Sequence, residues 1–344
     1  VTTHENEIVV PVNLADDRGR LLNPAARGWS RTPMHTANLS GVWGRTKKWD
    51  YWAILAGDLI VSGVYADVDY LGTVDVSWLD LADGTSGGRG FSTADARGIT
   101  LPDVSGAAPL TAQHKNLTYS VHDDASGDTL IEATWTEKTG ERGSLKASID
   151  LPPGHESLSV VIPWTTKRYQ FTTKHQARPA HGELVVGDRH RTFGDGADEA
   201  WGVIDIGRGR WPYHTLWNWG GGAGHATNGS VIGLQLGGKW TVGTGYTENG
   251  LLVDGHLSKI GTELIWDYSW DDPMQPWHVT DPNGQVDIKL TPRHDKHDRL
   301  ELKVMSRETH LVFGTWSGTV TDDSGKRFDF TGLQGFAEES RARW

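Results

Sequence analysis

The chain of 344 residues contains no cysteine. That removes disulfides, thiolate nucleophiles and cysteine-based zinc sites from consideration. Long apolar runs are missing too: nothing approaches the roughly 18 consecutive apolar residues that a spanning helix needs. Positive charge is short, with 33 Lys and Arg against 44 Asp and Glu and a net of −11. An excess of that sign argues against nucleic acid or an anionic membrane surface as partner. The opening "VTTHENEIVV" lacks the apolar core of a signal peptide, which gives a cytoplasmic location as the expectation; a first residue of Val points to processing upstream. No long amphipathic helical pattern is found, and no phosphate loop, dinucleotide fingerprint or nucleophile elbow stands in strand–helix context.

What is abundant is glycine, with 43 residues, and tryptophan, with 17. Asp-Gly and Asn-Gly pairs punctuate short β-branched and aromatic runs such as "LIVSGVYADVDYLGTVDVSWLDL" (59–81), "TLIEATWTEK" (129–138) and "SVIGLQLGGKW" (230–240). Regular strands with turn signals every eight to twelve residues predict an all-β protein of antiparallel barrels or strongly curved sheets. The turn-rich stretch 178–200 reads as the seam, which gives two β-barrel domains, 1–180 and 181–344. "SGVWGRT" (40–46) and "FGTWSGT" (313–319) share a Gly-X-Trp word resembling the first strand of lipocalin-type barrels, where the ring plugs one end. "GFAEESRARW" (335–344) reads as a short helix pairing its charges across a turn.

The densest aromatic stretch is "RWPYHTLWNWGGGAG" (210–224). At the strand period of two, Trp211, Tyr213, Thr215, Trp217 and Trp219 share one face, with Pro212, His214, Leu216 and Asn218 on the other. So much ring surface is either core or the wall of a ligand cavity. As a wall it would stack a sugar or stabilise positive charge through the ring quadrupole. Trp211, Tyr213, Trp217, Asn218, Trp219 and Trp240 are therefore candidate binding residues, with His214 as a candidate catalytic residue that orients the substrate.

Four carboxylates are candidate acids or bases. In "VYADVDYLG" (64–72), Asp67 and Asp69 fall on one strand face about 6.5–7 Å apart. If both were buried, repulsion and desolvation would separate their pKa values into an acid and a base. Otherwise they form an outward acidic face. Asp205 lies in the apolar strand "GVIDIGRGR", where it is either salt-bridged or a proton donor beside the aromatic stretch. Glu248 in "GYTENG" is either plain hairpin chemistry or a site residue. His294, Asp295 and His297 in "TPRHDKHDR" read as a solvated hairpin tip, so no metal site and no cofactor are expected; His35 and His310 read as packed barrel-end histidines.

Five segments together, "HENEIVVPVNLADDRGRLLNPAARGWSR", "HESLSVVIPWTTKRYQFTTKHQ", "GRGRWPYHTLWNWGGGAG", "GGKWTVGTGYTENG" and "GFAEESRARW", resemble the domain-of-unknown-function 2804 family along essentially the whole chain. More remotely the chain resembles two-barrel calycin-type proteins, a group that includes carotenoid 1,2-hydratases and lipocalin-like cyclases. That resemblance implies two successive lipocalin-like barrels and acid chemistry on an alkene or polyene within or between them. It marks "TENG", and so Glu248, as a recurring word. The expectation is thus a small-molecule enzyme using acid/base groups without a cofactor: a hydratase, isomerase or cyclase acting on a lipid, isoprenoid or polyketide. A glycoside-cleaving enzyme and a non-catalytic lipocalin-like carrier are the alternatives. A carrier would place no carboxylate of perturbed pKa at its ligand.

Overall fold

The computed structural model describes residues 3–195, 199–301 and 305–344. Among them the chain is all-β, with a single 3₁₀ turn at Pro24–Ala26 and no α-helix. Two sheets hold nearly all of the strands.

The first sheet is made of two up-and-down meanders. One comprises β1 (Thr46–Ala56), β2 (Leu59–Asp67), β3 (Leu71–Asp80) and β4 (Ser86–Ala94). The other comprises β5 (Leu110–His114), β6 (Leu117–Asp123), β7 (Thr129–Thr136), β8 (Arg142–Ile149) and β9 (Tyr169–Val186). The meanders meet at β10 (Trp201–Arg210), which pairs antiparallel with β1 on one side and β9 on the other. The sheet curls into a nearly closed barrel. Its closing edges are clamped by one carboxylate: Glu137 accepts hydrogen bonds from the Trp78 and Trp135 indoles and from the Gly88 N–H. The barrel interior is filled by side chains, among them Trp52, Tyr65, Trp78, Tyr119 and Trp135, with the Trp52 indole donating to the Tyr119 hydroxyl at 2.8 Å. Of the stretch 178–200, residues 178–186 and 189–193 are strands of this sheet, and the chain passes to the second sheet over Trp211–Tyr213.

The second sheet repeats the plan. One meander is β11 (His214–His225), β12 (Val231–Gly238), β13 (Asn249–Val253) and β14 (His256–Ile260); the other is β15 (Ile265–Asp267), β16 (Trp277–Thr280), β17 (Val286–Glu301) and β18 (Ser306–Thr321). They are joined by β19 (Arg327–Arg343), which lies between β11 and β18. This sheet is a half-barrel whose concave side holds its own core around Trp277, Trp316, Leu290 and Phe328. Its other face rests on the outside of the first barrel, with Trp219, Phe313 and Phe336 packed on Ala53, Leu55, Ile60 and Val203.

Three local expectations are corrected. Residues 335–344 are strand and not helix, because β19 is hydrogen-bonded on both edges and its residues alternate between two buried layers. The two Gly-X-Trp words are not equivalent barrel plugs: Trp43 is 70% exposed on a turn before β1, whereas Trp316 is buried inside the half-barrel with its indole on the Gly221 carbonyl. Residues 294–297 are no hairpin tip, since they continue β17 past a register shift between Pro292 and His294.

Candidate acid–indole site between the sheets

Strand alternation places Asp205 of β10 toward the second sheet, and its register neighbours Lys174 of β9 and Tyr51 of β1 lie beside it. Lys174 is the hub. Its Nζ pairs with Asp205 Oδ1 at 2.9 Å and with Glu248 Oε1 at 3.0 Å, and it stands 4.3 Å over the Trp219 ring. All three ionic side chains are at least nine-tenths buried. Burial lowers the pKa of the Lys174 ammonium, but the two carboxylates more than offset that and hold it above its ordinary value, so it stays charged.

Indole N–H groups complete the carboxylates. Trp49 donates to Asp205 Oδ2 at 3.2 Å, Trp240 to Glu248 Oε2 at 3.0 Å, and Trp217 to Glu338 Oε1 at 2.7 Å. Trp49 reaches Asp205 because residue 207 is glycine: its ring lies flat where a Cβ would be. Gly237 leaves the same kind of room for Glu248.

Glu338 differs from the other two. It lies on β19 directly across from Trp219 of β11 and Leu311 of β18, facing the first barrel. Among the described residues it has no ion-pair partner within 4.0 Å, and its carboxylate accepts a hydrogen bond from the Trp217 indole. Burial pushes it up to about 7, against smaller pulls from the Trp217 indole, Arg307 and Lys174. Such a carboxyl carries a proton part of the time near neutral pH.

Beyond Glu338 the same face of β17 and β18 presents Lys296 and Arg307, and the space between the sheets opens into a cleft of about 670 Å³. Asp75 and Ser77 of β3 line its opposite wall, with Lys296 Nζ on Ser77 Oγ at 3.2 Å. Burial pushes the recessed Asp75 carboxyl up to about 6, opposed by Lys296 and Arg307.

The sequence candidates divide accordingly. Asp205, Glu248, Trp217, Trp219 and Trp240 come together in this layer. Trp211 joins them at one end but faces other rings: it lies flat on Trp240 at 5.5 Å and contacts Trp49, Trp164, Trp217 and Trp344 within about 6 Å. The rings at 211 pack on one another and do not surround open space. Tyr213 is not on the shared ring face. Pro212 has no N–H to give a ladder, the strand begins only at His214, and the Tyr213 ring is 40% exposed beside Arg45 at 5.4 Å. His214 is exposed and lines a separate shallow cleft with Leu216 and Ser306. Asn218 faces the concave side, donating to the Tyr268 hydroxyl at 2.9 Å and the Glu338 carbonyl at 3.1 Å.

Asp67 and Asp69 are not a paired strand face. β2 ends at Asp67, Asp69 turns with φ of +71°, and each spends an oxygen on backbone: Asp67 accepts from Asp69 N–H and Asp69 from Thr46 N–H. They shape the β2–β3 turn.

Lys174, Tyr51 and Trp49 are the residues of this layer that the sequence reading passed over, and Glu338 is one whose segment it took for a terminal helix. A signal existed for two of them: Thr172, Lys174 and Gln176 fall on one face of β9 at period two, and Glu338 and Ser340 do so in the last strand.

These features define a class: an all-β protein of two stacked curved sheets with an acid- and indole-lined seam between them. The chain belongs to the family described as domain of unknown function 2804, whose model matches residues 5–344. Similar solved structures include kievitone hydratase from Nectria haematococca, at 12% identity and a TM-score of 0.49, covering 100% of this chain and 98% of that one. Another is a Nitrosomonas europaea protein carrying the provisional name ATTH, at 11% identity and a TM-score of 0.46, covering 86% and 92%. No protein of curated function matches the sequence. No helix among the described residues is long and apolar enough to cross a membrane.

Proposed function

We propose that this protein is an acid–base enzyme acting on a small unsaturated molecule held between its two sheets, with Glu338 as the proton donor. The observation that carries this reading is a buried carboxylate between the two sheets with one indole donor and, among the described residues, no ion-pair partner. A structural acid in such a place is normally neutralised by a cation, as Asp205 and Glu248 are by Lys174.

The chemistry that suits it is hydration, isomerisation or cyclisation of a lipid, isoprenoid or polyketide. In hydration, Glu338 gives its proton to one alkene carbon and the adjacent carbon becomes cationic. The half-exposed Trp217 ring stabilises that cation by about 0.5–2 kcal/mol. Water adds, its surplus proton returns to the Glu338 carboxylate, and the sum is alkene plus water giving alcohol. Lys174, Asp205 and Glu248 act as positioning residues that fix Trp49, Trp219 and Trp240. A carrier has no use for the perturbed carboxyl, and a sugar would find the Trp211 and Trp240 faces already stacked on each other.

The test is incubation of the full chain with a panel of unsaturated isoprenoid, polyketide and fatty compounds in D₂O, read by mass spectrometry for added water or exchanged deuterium. Glu338→Gln should lower turnover about 10²–10⁴-fold, the usual worth of a positioned acid, and leave folding intact. Equal turnover by the two proteins removes Glu338 from its role.

A further inference from the structure

We infer that the cleft between β3–β4 and the β17–β18 hairpin is an anion subsite that takes the carboxylate or phosphate head of the substrate. This rests on the acid–base reading of Glu338 and adds the substrate class: an acid or phosphate monoester with an unsaturated apolar tail. The cleft is lined by five cations, Arg89, Lys138, Lys296, Arg299 and Arg307, against two acids, Asp75 and Asp298. That balance is the reverse of the whole chain, which carries −11. A local positive hollow on an acidic protein focuses field on a ligand of the opposite sign.

Three of the cations are also uncommitted. Among the described residues, Lys138, Lys296 and Arg307 have no carboxylate within 4.0 Å, whereas Arg299 is held by Glu301 at 3.6 Å and Arg89 donates to the Asn116 side-chain carbonyl at 2.8 Å. Lys296 spends one proton on Ser77, which leaves two. The wall opposite carries Gly87, Gly88 and Gly90 of β4, whose Cβ positions are taken up by Trp78, the Val76 carbonyl and Asp75.

Register gives the direction of the ligand's tail. Lys296 of β17 pairs with Leu311 of β18, and Leu311 with Glu338 of β19, all three on the face toward the first barrel. Two strand spacings put the Lys296 and Glu338 backbones about 10 Å apart, with the half-buried Leu311 between them. A head group on Lys296 and Arg307 therefore has its tail directed along Leu311 toward Glu338.

Calorimetric titration of the full chain with inorganic phosphate in one arm and octanoate in the other tests this. At least one probe should bind saturably, with affinity that falls as salt rises. A Lys296→Gln/Arg307→Gln protein of unchanged melting temperature should bind it at least tenfold more weakly. Lys138→Gln should show a smaller loss and covers the case in which the double variant fails to fold. Binding of phosphate alone assigns a phosphate head, and binding of octanoate assigns a carboxylate. If neither probe binds, or if the loss of Lys296, Arg307 and Lys138 leaves binding unchanged, the subsite is overturned. Glu338-dependent turnover would survive that result, so the two claims fail separately.

Discussion

Lys174 is a single ammonium shared by two carboxylates in a place that water hardly reaches. Removing one partner from a buried ionic group strands the other, typically at about 3–5 kcal/mol. Lys174→Met strands two, so it should lower the unfolding free energy by at least that range in urea titrations monitored by tryptophan emission. A loss below about 1 kcal/mol would mean that Asp205 and Glu248 are solvated in a way the geometry does not suggest. Glu338 is the opposite case, a carboxylate with no cation within 4.0 Å among the described residues. The sequence named Asp205 and Glu248 but could not name the lysine between them, because the three lie on segments 31 and 43 residues apart and meet only through register and sheet stacking.

At the scale of elements, the glycines of β10 and β12 work as seats for larger groups. Gly207→Ala would drive a methyl group into the Trp49 ring and push its N–H off Asp205. Overpacking of this kind costs about 1–3 kcal/mol, and here it should also change the environment of the indole, so circular dichroism in the near ultraviolet would shift along with the denaturation midpoint. The strands themselves were largely legible, because period-two patterns and turn pairs are local properties. β19 was misread since its charges fall at helical as well as strand spacing, and only hydrogen bonds to β11 and β18 decide between them. Tyr213 was misplaced for a related reason: Pro212 interrupts an alternation that otherwise looks continuous.

For the whole molecule, the raised carboxyls tie stability to pH. Glu338, near 7, and Asp75, near 6, bind protons more tightly when folded than when unfolded. Their contribution is complete below their ordinary range near pH 4 and is lost as pH rises through 6 to 7. For Glu338 the swing is on the order of 3 kcal/mol, from a shift of 4.5 to about 7. The Glu338→Gln protein should then match the parent in melting temperature at pH 4 and exceed it at pH 8. Parallel curves across that span would mean that Glu338 is ionised in the folded protein throughout. None of this was readable beforehand, since which face of one sheet lies against which face of the other depends on the assembled pair.

Both sheets share a wiring with a temporal side. In each, two meanders are completed first along the chain, and the strand that joins them, β10 or β19, comes off the ribosome after every strand it separates. Until then each half-sheet has a bare edge waiting for its neighbour, an invitation to wrong partners that makes these chains natural clients of holding chaperones. Asp205 and Glu338 ride on those two late arrivals. A nascent chain thus holds neither carboxylate in its buried setting until the strand that seals each sheet is in place.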